Sequence, residues 1–154
     1  MQTEFRAIVH SEYGAPEKVL KIAKCQLKSE ELGADDVLVK VIARPIHPGD
    51  VQIPSALPQG GPVAPIPEGT LRIPGFEGVG TIVRLGTNAK AATRFSEGQR
   101  VAFFPAAGAW GEYVLVRYNS LLAVPNEIPN QIAAQMLINT ITASALIKAG
   151  HNAI

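Results

Sequence analysis

The chain has 154 residues with 14 basic and 13 acidic side chains, a net charge of +1, which suits one domain able to bury a core without staples. With no long run of either sign it offers no electrostatic footprint for nucleic acid or an anionic membrane, and the solitary Cys25 excludes an internal disulfide and a cysteine-built structural zinc site, leaving packing as its expected role. The start, MQTEFRAIVHSEYG, has no secretory pattern and no later stretch approaches the roughly 20 apolar residues of a membrane span, so a soluble, cytoplasmic protein is expected.

Taken in chain order, FRAIVH (5–10) and KVLKIAK (18–24) have the length and β-branched content of short strands. In DVLVKVIAR (36–44), Val37, Val39 and Val41 alternate with Leu38, Lys40 and Ile42, a period of two that predicts a strand with one wetter face. From Pro45 to Pro74 the chain holds eight of its twelve prolines and four glycines, too few amide donors for regular structure, and a long loop is expected there. GVGTIVRL (78–85), GQRVAFF (98–104), WGEYVLV (110–116) and SLLAV (120–124) complete a set of short strands parted by turn residues. Such a set predicts a mainly β fold, a barrel or sandwich.

NQIAAQMLINTITASALIKAG (130–150) predicts a single helix, with Asn130 as N-cap, Lys148 near the negative end of the dipole and Gly150 as the stop. Its apolar residues nearly encircle it, a pattern expected when protein covers a helix on most sides. One small barrel offers too little surface for that.

The stretch PGFEGVGTIVRLG (74–86) contains Gly78 and Gly80 but has Val83 where a dinucleotide fingerprint needs its third glycine. The β-branched run Thr81-Ile82-Val83 leads to a turn at Leu85-Gly86-Thr87-Asn88, so no helix is expected to follow and the phosphate-cradle reading fails on context. Inside a strand the two glycines share a face and leave it bare for a close neighbour. Glu77 reads first as a structural hydrogen-bonding carboxylate and second as a catalytic one, since nothing near it in the sequence pairs with it.

The order of these pieces, FRAIVH with GAPEKVLKI, VLVKVIARPIHPGD, PGFEGVGTIVRLG, GQRVAFFP, WGEYVLV, LLAVP and a helix carrying Thr142-Ala143, resembles the amino-terminal, catalytic half of the medium-chain dehydrogenase/reductase superfamily. The resemblance implies a GroES-like, partly open β-barrel over residues 1–129 and, over 130–154, a linker helix toward a Rossmann nucleotide-binding domain that is not among these residues. In zinc-dependent members the position of His47 is a cysteine ligand, and Phe76 stands where a histidine ligand precedes the glutamate. A phenyl ring donates no electron pair, so no zinc is expected. PIHPGD resembles the PxNPxD element of the zinc-free quinone oxidoreductase and enoyl-thioester reductase branch, with His47 replacing asparagine.

The same resemblance implies the site. His47 is the candidate catalytic donor near the nicotinamide and the substrate carbonyl, against the alternative of a loop histidine without a role. Asp50 is either cleft floor beside the cofactor or turn chemistry bonding an amide two residues on. Thr142 is either a cofactor-binding threonine or one bonded to its own upstream carbonyl. Phe76 would give the substrate an apolar surface, and the loop 51–74 its wall, although that loop lacks the tyrosine found there in enoyl-thioester reductases. The implied activity is reduction of quinones or activated enone and enoyl double bonds with NADPH or NADH, bound mainly by the Rossmann domain, in a homodimer. The isolated chain is then expected to be inactive. The alternative is a stand-alone GroES-like binding module without chemistry.

Overall fold

The computed structural model describes residues 2–55 and 64–151. Two antiparallel sheets carry the fold. In the smaller, β1 (Gln2–Val9) and β2 (Lys21–Lys28) pair along their whole length, Phe5 opposite Cys25 and Ile8 opposite Ile22. In the larger, β3 (Asp36–Ala43), β4 (Gly78–Leu85), β5 (Arg100–Phe103), β6 (Tyr113–Arg117) and β7 (Leu121–Ala123) take the order β6-β3-β4-β5-β7. The helices are α1 (Pro16–Val19), α2 (Pro48–Gln52), α3 (Thr87–Ala92), α4 (Asn130–Ala133) and α5 (Met136–His151).

The sheets are stitched where β1 meets the turn before β6. Ile8 N donates to Trp110 O at 3.2 Å, Glu112 N to Arg6 O at 2.9 Å, and the Arg6 guanidinium grips Glu112 Oε1 through Nε and Nη2. The result is mainly β and open rather than a closed barrel, as expected. Val37, Val39, Ile82, Val101, Phe103, Val114 and Val116, from four strands of the larger sheet, form one buried cluster, each contributing about 1.5–3 kcal/mol of burial. The alternation foreseen in 36–44 holds for Val37, Val39, Lys40 and Ile42, whereas Leu38, on the other face, is 7% exposed. Cys25 packs beside Phe5, Ala7 and Val9, and burial pushes its thiol up from the usual range, so packing is its role.

Gly80 shows why β4 is bare on one face. A Cβ there would stand 2.4 Å from the Lys40 carbonyl oxygen of β3, and one on Gly78 would meet Phe103 Cζ at 2.6 Å. These glycines admit the neighbouring chain.

Four expectations need correction. The segment 18–24 is not one strand: Pro16 at the first helical turn starts α1, and the strand begins only at Lys21. A helix does follow β4, because Gly86, extended at its N-cap, lets α3 begin at Thr87. The proline-rich loop contains α2, with Pro48 at its start, while residues 56–63 of that loop lie outside the described residues. The helix 130–150 is two helices. Pro129, not Asn130, is the N-cap of α4, and the Asn130 side chain accepts from Arg100 Nη1 at 2.8 Å. Gly150 stops nothing, since α5 runs on through it to His151.

From Asn139 to His151 every residue of α5 is exposed, with Ile141 at 57%, Leu146 at 68% and Ile147 at 64%. No helix among the described residues is long and apolar enough to cross a membrane.

Candidate functional site

The site begins with the way β3 ends. After Ala43 the prolines Pro45 and Pro48 hold the chain extended, and His47 keeps extended backbone angles as the N-cap of α2. Asp50, at the third position of α2, turns back so that Oδ2 accepts the His47 amide at 2.8 Å, half of a capping box. The carboxylate therefore bonds three residues upstream and not two downstream as turn chemistry suggested. Asp50 is 1% exposed, and its Oδ1 has no hydrogen-bond partner among the described residues. Burial pushes its carboxyl above the usual carboxylate range; the His47 amide and ring pull it down, nearby Glu77 raises it again, and the Phe76 amide lowers it slightly.

Glu77 arrives from the other direction. Gly75, with φ of 95°, makes the turn just before β4 and leaves carbonyls of Pro74, Gly75 and Phe76 to accept the amides of Trp110, Gly108, Ala109 and Ala106. That lattice fixes Phe76, half-buried, and Glu77, 1% exposed. Glu77 Oε2 lies 2.6 Å from His47 Nε2. Its Oε1 accepts the amides of Leu137 and Ile138 at 2.8 and 2.9 Å. In one unbroken helix those amides would bond carbonyls four residues back; here they turn to the side chain of Glu77, just before β4, and this is why α4 and α5 are separate.

Two sequence expectations about Glu77 thus part company. The structural role holds, since the carboxylate is satisfied by backbone amides at the positive end of α5. The lack of a partner does not, because the fold brings His47 across an interval of thirty residues.

His47, Asp50 and Glu77 form one cluster, with Phe76 adjoining through the chain. Thr142 lies on exposed α5, about one turn beyond Ile138, and no bond joins it to that cluster. Next to the cluster, a cleft of about 380 Å³ lies between residues 43–46 and the α4–α5 junction, lined by Arg44, Pro45, Ile46, Gln131 and Gln135 among others. Sequence reasoning missed Arg44. Its Nη1 donates to Gly111 O at 2.8 Å, and partial burial lowers its pKa from the usual guanidinium range while Glu112 raises it. No motif marks Arg44, and only the bend of the chain into the proline segment puts it on the cleft.

Among the described residues no group of three or more His, Cys, Asp or Glu side chains could hold a metal ion. What the cluster does offer is a buried hydrogen-bonding set: an imidazole 18% exposed, a carboxylate behind it and a second carboxylate with an open acceptor.

The alcohol dehydrogenase GroES-like domain profile matches residues 33–126. Over 150 residues the chain is 31% identical to the mitochondrial enoyl-[acyl-carrier-protein] reductase of Arabidopsis thaliana, covering 96% of this chain and 37% of that protein. A crystal structure described as an NADPH:quinone reductase of Bacillus thuringiensis superposes with a TM-score of 0.75 and 30% identity, over 92% of this chain and 39% of that one. A mycobacterial protein solved in complex with NADPH gives 0.78 and 26%, over 96% and 42%. The chain spans well under half the length of these relatives.

Proposed function

We propose, from the premise that this chain belongs to the alcohol dehydrogenase GroES-like domain family, that it is part of a longer NADPH- or NADH-dependent reductase. Its substrates are quinones or activated enone and enoyl double bonds, and it works without a catalytic zinc. The observation that carries this reading is the bond of half-buried His47 to buried Glu77 at the root of a helix whose apolar far end is exposed. The relatives named above supply the reaction class.

The nicotinamide cofactor, when bound, supplies the hydride. The residues present fit its reactive end. Asp50 Oδ1 is a buried acceptor without a partner, which a bound N–H or O–H group would satisfy, and His47 stands beside it. Thr142 on the exposed face of α5 is the third proposed contact. His47 is the proposed donor to the substrate oxygen as negative charge develops on it, and Phe76 the apolar surface beside the substrate. A zinc ion is poorly served: Phe76 has no donor, both Glu77 oxygens are engaged, and Cys25 sits on the smaller sheet. Homodimerisation and cytoplasmic residence belong to the same proposal, the latter tested by fractionation because several curated relatives carry "mitochondrial" in their names.

The test is His47→Ala in the full-length protein. Turnover of a quinone or enone with NADPH is expected to fall at least about a hundredfold, the lower end of what one positioned proton or hydrogen-bond donor contributes. Unchanged kcat and KM would remove His47 from the site. The stand-alone binding module is separated by the coding sequence beyond Ile154: a strand, glycine-rich turn and helix supports the reductase, and a stop codon supports the module.

A further inference from the structure

Glu77 does two things with one carboxylate, and the combination decides which nitrogen of His47 is available. Oε1 receives the amides of Leu137 and Ile138, and Oε2 faces His47 Nε2 at 2.6 Å. A carboxylate accepts hydrogen bonds and does not donate them. Nε2 must then carry the hydrogen, and Nδ1 is the nitrogen left for a ligand.

We infer that Glu77 is a positioning residue: it holds His47 with Nε2–H turned inward and Nδ1 as the working nitrogen, and through the same carboxylate it ties that orientation to the first turn of α5. The inference deepens the reductase reading above. A neutral imidazole so held presents only an acceptor to the site. It donates to a substrate oxygen through Nδ1 only as the imidazolium, with Glu77 as its counter-ion. The linkage also runs outward, since a ligand that turns the imidazole disturbs the carboxylate on which α5 begins.

The tautomer can be read in the 154-residue chain itself, with no turnover, by long-range ¹H–¹⁵N correlation of the His47 ring. Failure of this inference is thereby separable from failure of the reductase reading. The wild-type neutral ring is expected as the Nε2–H form. In Glu77→Gln the carboxamide oxygen is still required by the two amides of α5, so its NH2 must face the imidazole, which can accept only through a bare Nε2. The ring is therefore expected to switch to the Nδ1–H form. A wild-type ring in the Nδ1–H form, or an unchanged tautomer in folded Glu77→Gln, would overturn the assignment.

Should Glu77→Gln fail to fold, His47 variants carry the test, because they leave the capping carboxylate in place. In His47→Ala the amide exchange of Leu137 and Ile138 is expected to change at least threefold, and in His47→Gln, whose side-chain NH2 can again reach Oε2, to return toward wild type. Exchange at both amides identical in wild type and His47→Ala would show a plain helix cap with no linkage to His47.

Discussion

Asp50 sits in a buried pocket that penalises its charge, and that penalty has a sign that can be measured. Because burial holds its carboxyl above the usual range, the folded state binds this proton more tightly than the unfolded chain does. The associated stability is complete below about pH 4, the ordinary aspartate value, and is lost as pH rises through the higher folded value. Asp50→Asn keeps an oxygen for the His47 amide and has no charge to bury. Its melting temperature relative to wild type is expected to improve as pH rises above about 4 and to level off once the folded carboxyl has ionised. A difference that stays constant over that range would mean that the carboxylate is ionised without cost. Sequence reasoning singled out Asp50 and His47 together because both belong to PIHPGD (45–50), one short element that can be compared with a family pattern. It missed the bond between His47 and Glu77, because no local pattern records a contact made by folding two distant loops against each other.

At the scale of elements, β4 depends on a neighbour that comes too close for any side chain. Gly80→Ala would place a methyl group 2.4 Å from the Lys40 carbonyl oxygen, which backbone, unlike a flexible side chain, relieves only by moving. A loss of about 1–3 kcal/mol is expected, at the scale of overpacking, measured by urea denaturation. A neutral result would show that β3 and β4 can shift apart without cost. The strands were largely legible because period-two patterns are local: 36–44 and 78–85 were recovered almost to the residue. The errors fell at ends, where one residue decides. Pro16 nucleates a helical turn inside an apparently strand-like run, and Gly86 caps α3 where a turn was foreseen. The break between α4 and α5 was illegible for another reason. Nothing in 130–150 opposes a continuous helix; the interruption comes from a carboxylate sixty residues upstream.

For the molecule as a whole, the distribution of apolar surface distinguishes what the chain covers from what it leaves bare. The two sheets bury Val9, Val37, Val39, Val79, Val101 and Phe103, whereas Ile141, Leu146 and Ile147 stand in solvent. Leu146→Lys combined with Ile147→Glu is therefore expected to change the stability of the 154-residue chain by no more than about 0.5 kcal/mol, the range of ordinary surface substitutions. Dye binding and self-association should fall. A loss of several kcal/mol would mean that the chain shelters this helix itself, and the proposed neighbour would have no surface to occupy. The encircling apolar pattern was the clearest whole-molecule signal in the sequence, and the structure leaves that surface exposed from Asn139 onward.

The α4–α5 junction also has a purely mechanical consequence. With sixteen residues, α5 extends about 24 Å from its first turn, held at one end and unsupported from Asn139 onward. Glu77 holds its first turn, and a tilt of about 5° there would displace the tip by about 2 Å over this length. Whatever is fastened to the free end would receive an adjustment smaller than a bond length at the carboxylate as a movement larger than one.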